Sequence, residues 1–324
     1  MKNVAIIGCG LIGGKRAAAL GVHRLIATAD TDLARAQRFS DNATTDWRQV
    51  VKREDVDLVI VATTNDALAE ITQAAIEANK HVLVEKPAAR NLAELRKVQQ
   101  AAKKQKVVVK VGFNHRFHPA IQKAREIFDS GGVGDLMFVR ARYGHGGRLD
   151  YEKEWRANPE VSGGGELLDQ GVHLIDLSRW FAGEFTQVWG RTATFFWPMK
   201  VEDNGFCYLT TAKGQAAWLH ASCSEWKNMF SMEIYGRTGK LQIDGLGGSY
   251  GVERLTYYKM SPQMGPPEAA SWDFQGPDKS WECEFADWVE SIDTGRRPCG
   301  DLDDAMAAMK IVESIYQQSA EQHS

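Results

Sequence analysis

Cysteine is scarce and follows no pattern: five residues, Cys9, Cys207, Cys223, Cys283 and Cys299, are scattered along the chain with no C-x-x-C. This argues against a disulfide framework or a cysteine zinc site, and sets the expectation of a reducing cytoplasmic compartment. Neither sign of charge prevails. Lys and Arg number 39 against 42 Asp and Glu, a net charge of −3, so no basic field draws nucleic acid or an anionic membrane surface. No run of about 18 apolar residues occurs, which argues against a transmembrane helix. The opening "MKNVAIIGCGLIGG" is too short in its apolar part and too rich in glycine for a secretion signal. An H-E-x-x-H motif, an internal repeat and a low-complexity tract are all missing.

What is present is an ordinary globular balance, 44% hydrophobic and 25% charged over 324 residues, a length that suggests two domains. Through residue 113, short apolar runs alternate with helical patterns. "NVAII" (3–7), "RLIATA" (24–29), "VDLVIVAT" (56–63), "HVLVE" (81–85) and "KVVVKVGF" (106–113) read as strands covered on both faces. "DALAEITQAAIEAN" (66–79) and "NLAELRKVQQAAKKQ" (91–105) read as helices, the second capped by Asn91 with Glu94 at its third position. Repeated strand–helix–strand units predict a doubly wound parallel sheet. After Pro119 the pattern changes. A helix (119–130), the strand "LMFVRARYG" and a glycine-rich entry to a helix ending near Gly183 precede a stretch of strand alternation. There "WGRTATFFW", "NGFCYLTTA", "AAWLHASC", "FSMEIYG" and "RLTYYKM" form one antiparallel or mixed sheet. Residues 261–280, with four prolines, read as a long loop, and two helices close the chain. The expected domains are 1–118 and 119–324, with the last helix free to pack on either.

"VAIIGCGLIGG" joins the first strand to a helix. Gly8, Gly10 and Gly13 fit G-x-G-x-x-G, with Leu11 and Ile12 between them. Gly8 permits the tight turn, Gly10 lets backbone approach a pyrophosphate, and Gly13 lets helix and strand pack closely. The helix N-terminus adds free N–H groups and a positive dipole end. Asp30 ends the second strand, 17 residues beyond Gly13. A carboxylate there accepts from the ribose hydroxyls and repels a 2′-phosphate, which favours NAD over NADP. Lys15 and Arg16 are expected to point outward from the first helix. Thr63 and Asn65 stand at the carboxyl edge of the sheet, where Asn65 either touches the cofactor or caps the next helix.

Lys86 stands at the same edge, before Pro87, which restricts it to extended geometry. A lysine desolvated there can have its pKa lowered toward neutrality. Glu85 either pairs with a neighbouring cation or hydrogen-bonds into the site. In "GGGELLDQGVHLIDLSRW", Asp169 and His173 are four apart and face one side of a helix. Such a pair serves as metal ligands or as an acid–base pair. A metal would want a third ligand, whereas proton transfer needs only a group titrating near neutrality.

The N-terminal glycine motif, "EKP" after the 81–85 strand and "GGG…D…GxH" occur in this order, and together resemble the glucose–fructose oxidoreductase/inositol dehydrogenase (Gfo/Idh/MocA) family. "GFNHRFHPA" (112–120) and "EWRANPEVSGGG" (154–165) are similar to family segments as well. The resemblance implies an α/β Rossmann doubly wound parallel sheet plus an α+β domain with an open-faced mixed, mainly antiparallel β-sheet. It also implies NAD-dependent oxidation or reduction of a secondary alcohol on a sugar, a cyclic polyol or a nucleotide sugar. Lys86, Asp169 and His173 would be catalytic, with Glu85 and Lys86 also against the cofactor and no metal. Which of Lys86 and His173 is the formal base stays open. One departure is Leu68, where the family often has a histidine three residues beyond the Asn; Thr64 replaces its proline.

Asn114 and Arg116, at the domain junction, and Arg148, Tyr151, Trp155 and Arg156, in the loop before the GGG helix, are candidate substrate contacts. Arginines clamp carboxylate or phosphate and aromatics pack on sugar faces. "GLGGSYG" (245–251) reads as a tight loop rather than a second nucleotide site. Trp189, Phe195, Phe196, Trp197, Phe206, Tyr208 and Trp218 make the second sheet rich in aromatics, a large apolar surface unless a partner covers it, and the resemblance implies a homodimer or homotetramer through that sheet. Two other readings remain at this point: a glycosidase of the same fold that oxidises its substrate transiently with NAD, and a dinucleotide sensor without turnover.

Overall fold

Six parallel strands form the first sheet: β1 (Asn3–Ile7), β2 (Arg24–Ala29), β3 (Ala43–Thr44), β4 (Leu58–Val61), β5 (His81–Glu85) and β6 (Val109–Gly112), in the order β3-β2-β1-β4-β5-β6. The computed structural model describes residues 1–263 and 265–321. This sheet belongs to a unit made of Met1–Asn114, Glu160–Gly163 and Trp281–Met306. All of β4 and nearly all of β1 and β5 are buried, which is why these strands read as unbroken apolar runs. Trp288, from the helix Ser280–Thr294, is fully buried against Val4, Ile6, Leu58, Ile60 and Leu83. Strand order reverses between β1 and β4, so the carboxyl ends of these two strands flank the crevice where this architecture binds ligands.

The other unit holds His115–Pro159, Gly164–Ser280 and the chain from Ala307. Its sheet contains β7 (Leu136–Gly144), β8 (Phe185–Ala193), β9 (Asn204–Thr211), β10 (Ala216–Ser222), β11 (Met229–Gly236), β12 (Gly239–Asp244), β13 (Glu253–Lys259) and β14 (Glu268–Phe274). The order is β14-β13-β12-β11-β7-β10-β9-β8, with only β7 and β10 parallel. Val139, Ala141, Tyr143, Leu219, Ala221, Met232 and Ile234 are buried, on the face that packs against the helix Val172–Ala182. Trp189, Tyr208 and Trp218 stand about half exposed on neighbouring strands. The sheet is open-faced, as the sequence implied.

Four local readings need correction. Residues 261–280 are not all loop: β14 pairs with β13 through Arg254–Asp273, Thr256–Ser271 and Lys259–Glu268. The four prolines flank this strand and leave its hydrogen-bonding positions intact. Gly239–Asp244 is a further strand. "WGRTATFFW" leaves the sheet after Ala193, because the N–H groups of Phe195, Phe196 and Trp197 all donate to the Asp203 carboxylate. Arg16 does not point outward; it is fully buried. Asn91 does cap its helix, accepting from Glu94 N–H at 2.9 Å. "GLGGSYG" is the turn between β12 and β13, with Gly245, Gly247, Gly248 and Gly251 at positive φ.

Candidate active site

The glycine loop is shaped by three different constraints. Gly8 has φ +93, and a Cβ on it would lie 2.4 Å from Ala62 O. A Cβ on Gly13 would lie 2.0 Å from Gly8 O, so helix and loop touch through backbone alone. A Cβ on Gly10 would meet nothing within 4 Å, so this turn of backbone is open. The helix Leu11–Ala18 begins here without a side-chain cap, leaving its first N–H groups to an anion. Asp30 is fixed to the loop: its Oδ2 accepts from Cys9 N–H at 2.7 Å and its Oδ1 from Asp32 N–H at 2.9 Å. Oδ1 also accepts from Thr31 Oγ1 at 3.5 Å, and Oδ2 keeps a lone pair for a ribose hydroxyl. The open Gly10 backbone, the uncapped helix and the fixed carboxylate fit a dinucleotide with an unphosphorylated ribose. Burial, then Asp30, push the Cys9 thiol up to about 11, so Cys9 is a packed thiol and not a nucleophile.

Glu85 and Lys86 end β5, and the Lys86–Pro87 peptide is cis. Glu85 pairs with Arg16, whose Nε donates to Glu85 Oε1 at 2.7 Å while Nη1 lies 2.5 Å from Glu284 Oε2. A Cβ on Gly112, the neighbour of Glu85 in β6, would come within 2.8 Å of Arg16 Nη2 and 2.9 Å of Glu85 Oε2. Glycine at 112 thus makes room for the pair. Burial raises the Glu284 pKa despite the opposing charges of Arg16 and Lys110. Asn65 is the first residue of the helix Asn65–Glu77 rather than its cap, and its Nδ2 donates to Ser162 O at 2.8 Å. Thr63 donates to Thr64 O, and Asn114 is buried at the end of this part of the unit.

In the second unit a tight entry precedes the catalytic candidates. Cβ atoms on Gly164 and Gly165 would clash with Tyr316 Oη and Glu202 O, at 2.1 and 2.0 Å. The Glu202 carboxylate organises this entry, accepting from Gly165 N–H at 2.9 Å, Leu167 N–H at 3.1 Å and Tyr316 Oη at 2.7 Å. Burial pushes its pKa up to about 7 against these hydrogen bonds. A π-helical turn, Leu167–Gly171, follows and carries Asp169; such turns recur at functional sites. Asp169 Oδ2 accepts from Arg156 Nε at 3.1 Å. His173, in the first turn of the helix Val172–Ala182, stacks on His115 with centroids 3.7 Å apart and planes at 17°. Tyr143 meets both rings edge-on.

Among the other substrate candidates, Arg116 is buried and bidentate to Asp176, at 2.8 and 2.6 Å. Arg148 is exposed and pairs with Glu154 at 2.5 Å. The Arg156 guanidinium lies 4.5 Å from the Trp155 ring centroid. Tyr151 is buried, and its hydroxyl donates to Glu166 Oε1 at 3.1 Å. Sequence reasoning missed Glu166 and His115, while His145, the partner of Glu166, lies in the loop whose residues the sequence already marked as suited to a polyhydroxylated ligand. The available signals were the position of Glu166 three residues before Asp169 and that of His115 inside "GFNHRFHPA". Among the described residues, no three His, Cys, Asp or Glu side chains are gathered to hold a metal, and no helix is long and apolar enough to cross a membrane.

Comparison with known proteins follows this division. Residues 2–113 match the oxidoreductase family model with an NAD-binding Rossmann fold, and residues 121–242 match the GFO/IDH/MocA C-terminal domain. The levoglucosan dehydrogenase of Pseudarthrobacter phenanthrenivorans is 34% identical over 230 residues, 65% of this chain and 59% of that protein. An inositol 2-dehydrogenase of Salmonella paratyphi B is 29% identical over 194 residues, 56% of this chain. The matched stretches thus span 59% and 55% of those relatives' own lengths. In fold, a levoglucosan dehydrogenase solved with NADH and L-sorbose superposes with a TM-score of 0.90 at 24% identity, covering 99% of this chain and 97% of that one.

Proposed function

Because this chain belongs to the Gfo/Idh/MocA family of oxidoreductases, we propose that it is a dehydrogenase transferring hydride between NAD and a secondary alcohol of a sugar or cyclic polyol. The observation that carries this reading is the glycine loop with Asp30 clasped to it, an NAD cradle at the crevice of the first sheet. Residues 1–118 serve the cofactor, and residues 119–324 serve the substrate and subunit pairing. The names of the relatives, which act on an anhydrosugar and on inositol, support the substrate class.

The nicotinamide, when bound, accepts the hydride. The chain's own residues manage the proton. Neutral His173 takes the hydroxyl proton, and Lys86 donates a hydrogen bond to the same oxygen as alkoxide charge develops. Asp169, itself held by Arg156, orients these groups. Gly8, Gly10, Leu11, Ile12 and Gly13 hold the pyrophosphate, Asp30 the ribose, and Thr63 and Asn65 line the cofactor edge. Glu85 acts through its pairing with Arg16, which fixes the strand end that carries Lys86. Half-exposed Trp189, Tyr208 and Trp218 support pairing of the open sheet with a second copy. Five free cysteines support a cytoplasmic setting.

The test is NADH formation on a panel of inositols, free sugars, sugar acids and nucleotide sugars. Stoichiometric oxidation of one member supports the reading. Cofactor binding without turnover on the whole panel, or cleavage of an aryl glycoside without net NADH, contradicts it. Light scattering on the purified protein reads the oligomer, and a monomer at micromolar concentration contradicts the pairing.

A further inference from the structure

Glu166 is 2% exposed and stands three residues before Asp169. Its Oε1 accepts twice, from Tyr151 Oη at 3.1 Å and from His145 Nε2 at 3.2 Å. Gly147 N–H donates to His145 Nδ1 at 2.9 Å, so the ring proton of the neutral imidazole sits on Nε2, toward the carboxylate. Glu166 Oε2 has no N–H or O–H donor among the described residues. A buried carboxylate oxygen left unpaired is costly. The Cys223 thiol lies within hydrogen-bonding reach of the Glu166 carboxylate and is pushed up by burial first and then by Glu166, but a thiol is a weak donor.

Two carboxylates, Glu166 and Asp169, dominate the charge around this oxygen, with Arg156, paired to Asp169, as the opposing cation. Burial, together with Glu166 and Asp169, raises the pKa values of buried Tyr143, buried Tyr151 and half-buried Tyr250, against the opposing charge of Arg156 at the last two, so hydroxyls on three segments sense both carboxylates. The arginines that look like anion clamps in the sequence are already engaged: Arg116 with Asp176, Arg148 with Glu154, Arg156 with Asp169.

We propose that Glu166, fixed by His145 and Tyr151, is a specificity-determining acceptor for a substrate hydroxyl, and that it selects an uncharged sugar or polyol over sugar acids and nucleotide sugars. The inference rests on the dehydrogenase reading above and narrows its substrate class. A hydroxyl supplies the strong donor that Oε2 lacks. A carboxylate or diphosphate in its place brings a like charge beside Glu166 and Asp169 and finds each of these arginines paired.

The test measures binding to the enzyme–NADH complex by calorimetry, alongside turnover. Probes are myo-inositol, levoglucosan and D-glucose against D-glucuronate, D-gluconate and UDP-glucose. We expect the best neutral probe to exceed every anionic one by at least about tenfold in affinity and kcat/KM. Glu166→Gln is expected to raise KM for that neutral probe about tenfold with kcat within about threefold, and to narrow its lead over the anions. Equal or tighter binding of an anionic probe by the unmodified enzyme overturns the inference, as does a Glu166→Gln enzyme with unchanged KM and selectivity. The unmodified comparison needs no variant, so misfolding of Glu166→Gln leaves it decisive. Selective binding without turnover keeps the inference and overturns the dehydrogenase reading; turnover without selectivity does the reverse, and neither binding nor turnover overturns both.

Discussion

Arg16 donates to Glu85 from within the first unit at 2.7 Å, with both side chains buried. This joins the helix that follows the glycine loop to the strand that ends in Lys86, and Glu284 closes the other side of the guanidinium. Removing one partner of a buried pair leaves an uncompensated charge. Arg16→Met is therefore expected to destabilise the protein by about 3–5 kcal/mol, read by urea denaturation. The triple variant Arg16→Met, Glu85→Gln, Glu284→Gln removes the stranded charges and is expected to recover most of that loss. A single variant within about 1 kcal/mol of the parent contradicts this account.

Asp30 holds the glycine loop through Cys9 N–H, and the proposed function has it accept from the ribose. Asp30→Ala is expected to weaken NAD by about tenfold or more, since hydrogen bonds to a charged acceptor are the stronger class. NADP is expected to weaken less, because the variant also relieves repulsion of the 2′-phosphate. Fluorescence titration with both reduced cofactors reads the difference. Equal losses for the two remove Asp30 as the ribose acceptor.

Glu202 makes stability depend on pH. Its pKa rises from 4.5 to about 7 on burial, so folding favours the protonated form. Its contribution is fully present below about 4.5 and is lost as pH rises through about 7. A shift of that size corresponds to about 3 kcal/mol. Glu202→Gln cannot ionise, so the stability of the parent relative to this variant is expected to fall by about that amount between about pH 5 and about pH 8. Urea unfolding at the two pH values measures it, and a constant difference contradicts the assigned pKa.

Much of this molecule was legible in the sequence. Gly8, Gly13 and Asp30 could be assigned because each serves a local need, a positive φ, a close approach or a strand-end carboxylate, that spacing alone exposes. The buried strands could be read because two covered faces demand continuous apolar runs. Arg16 could not be placed. Its partners Glu85 and Glu284 lie far along the chain, and a charged residue on a first helix looks solvent-facing until a glycine at 112 makes room for it. Glu166 was hidden for the same reason, since its donors come from Tyr151 and His145 in a loop without periodicity. The strand Glu268–Phe274 was masked by prolines that flank it without interrupting it.

The central claim is that Lys86 and His173 manage the alcohol proton while the glycine loop holds NAD. The most direct measurement compares NADH binding and steady-state NADH formation in the parent, Lys86→Ala and His173→Ala, using the best substrate of the panel. The account predicts cofactor affinity within about threefold of the parent, with turnover lowered by about 10²–10⁴-fold in each variant. Parent-like turnover with an unchanged pH profile in either variant would contradict it.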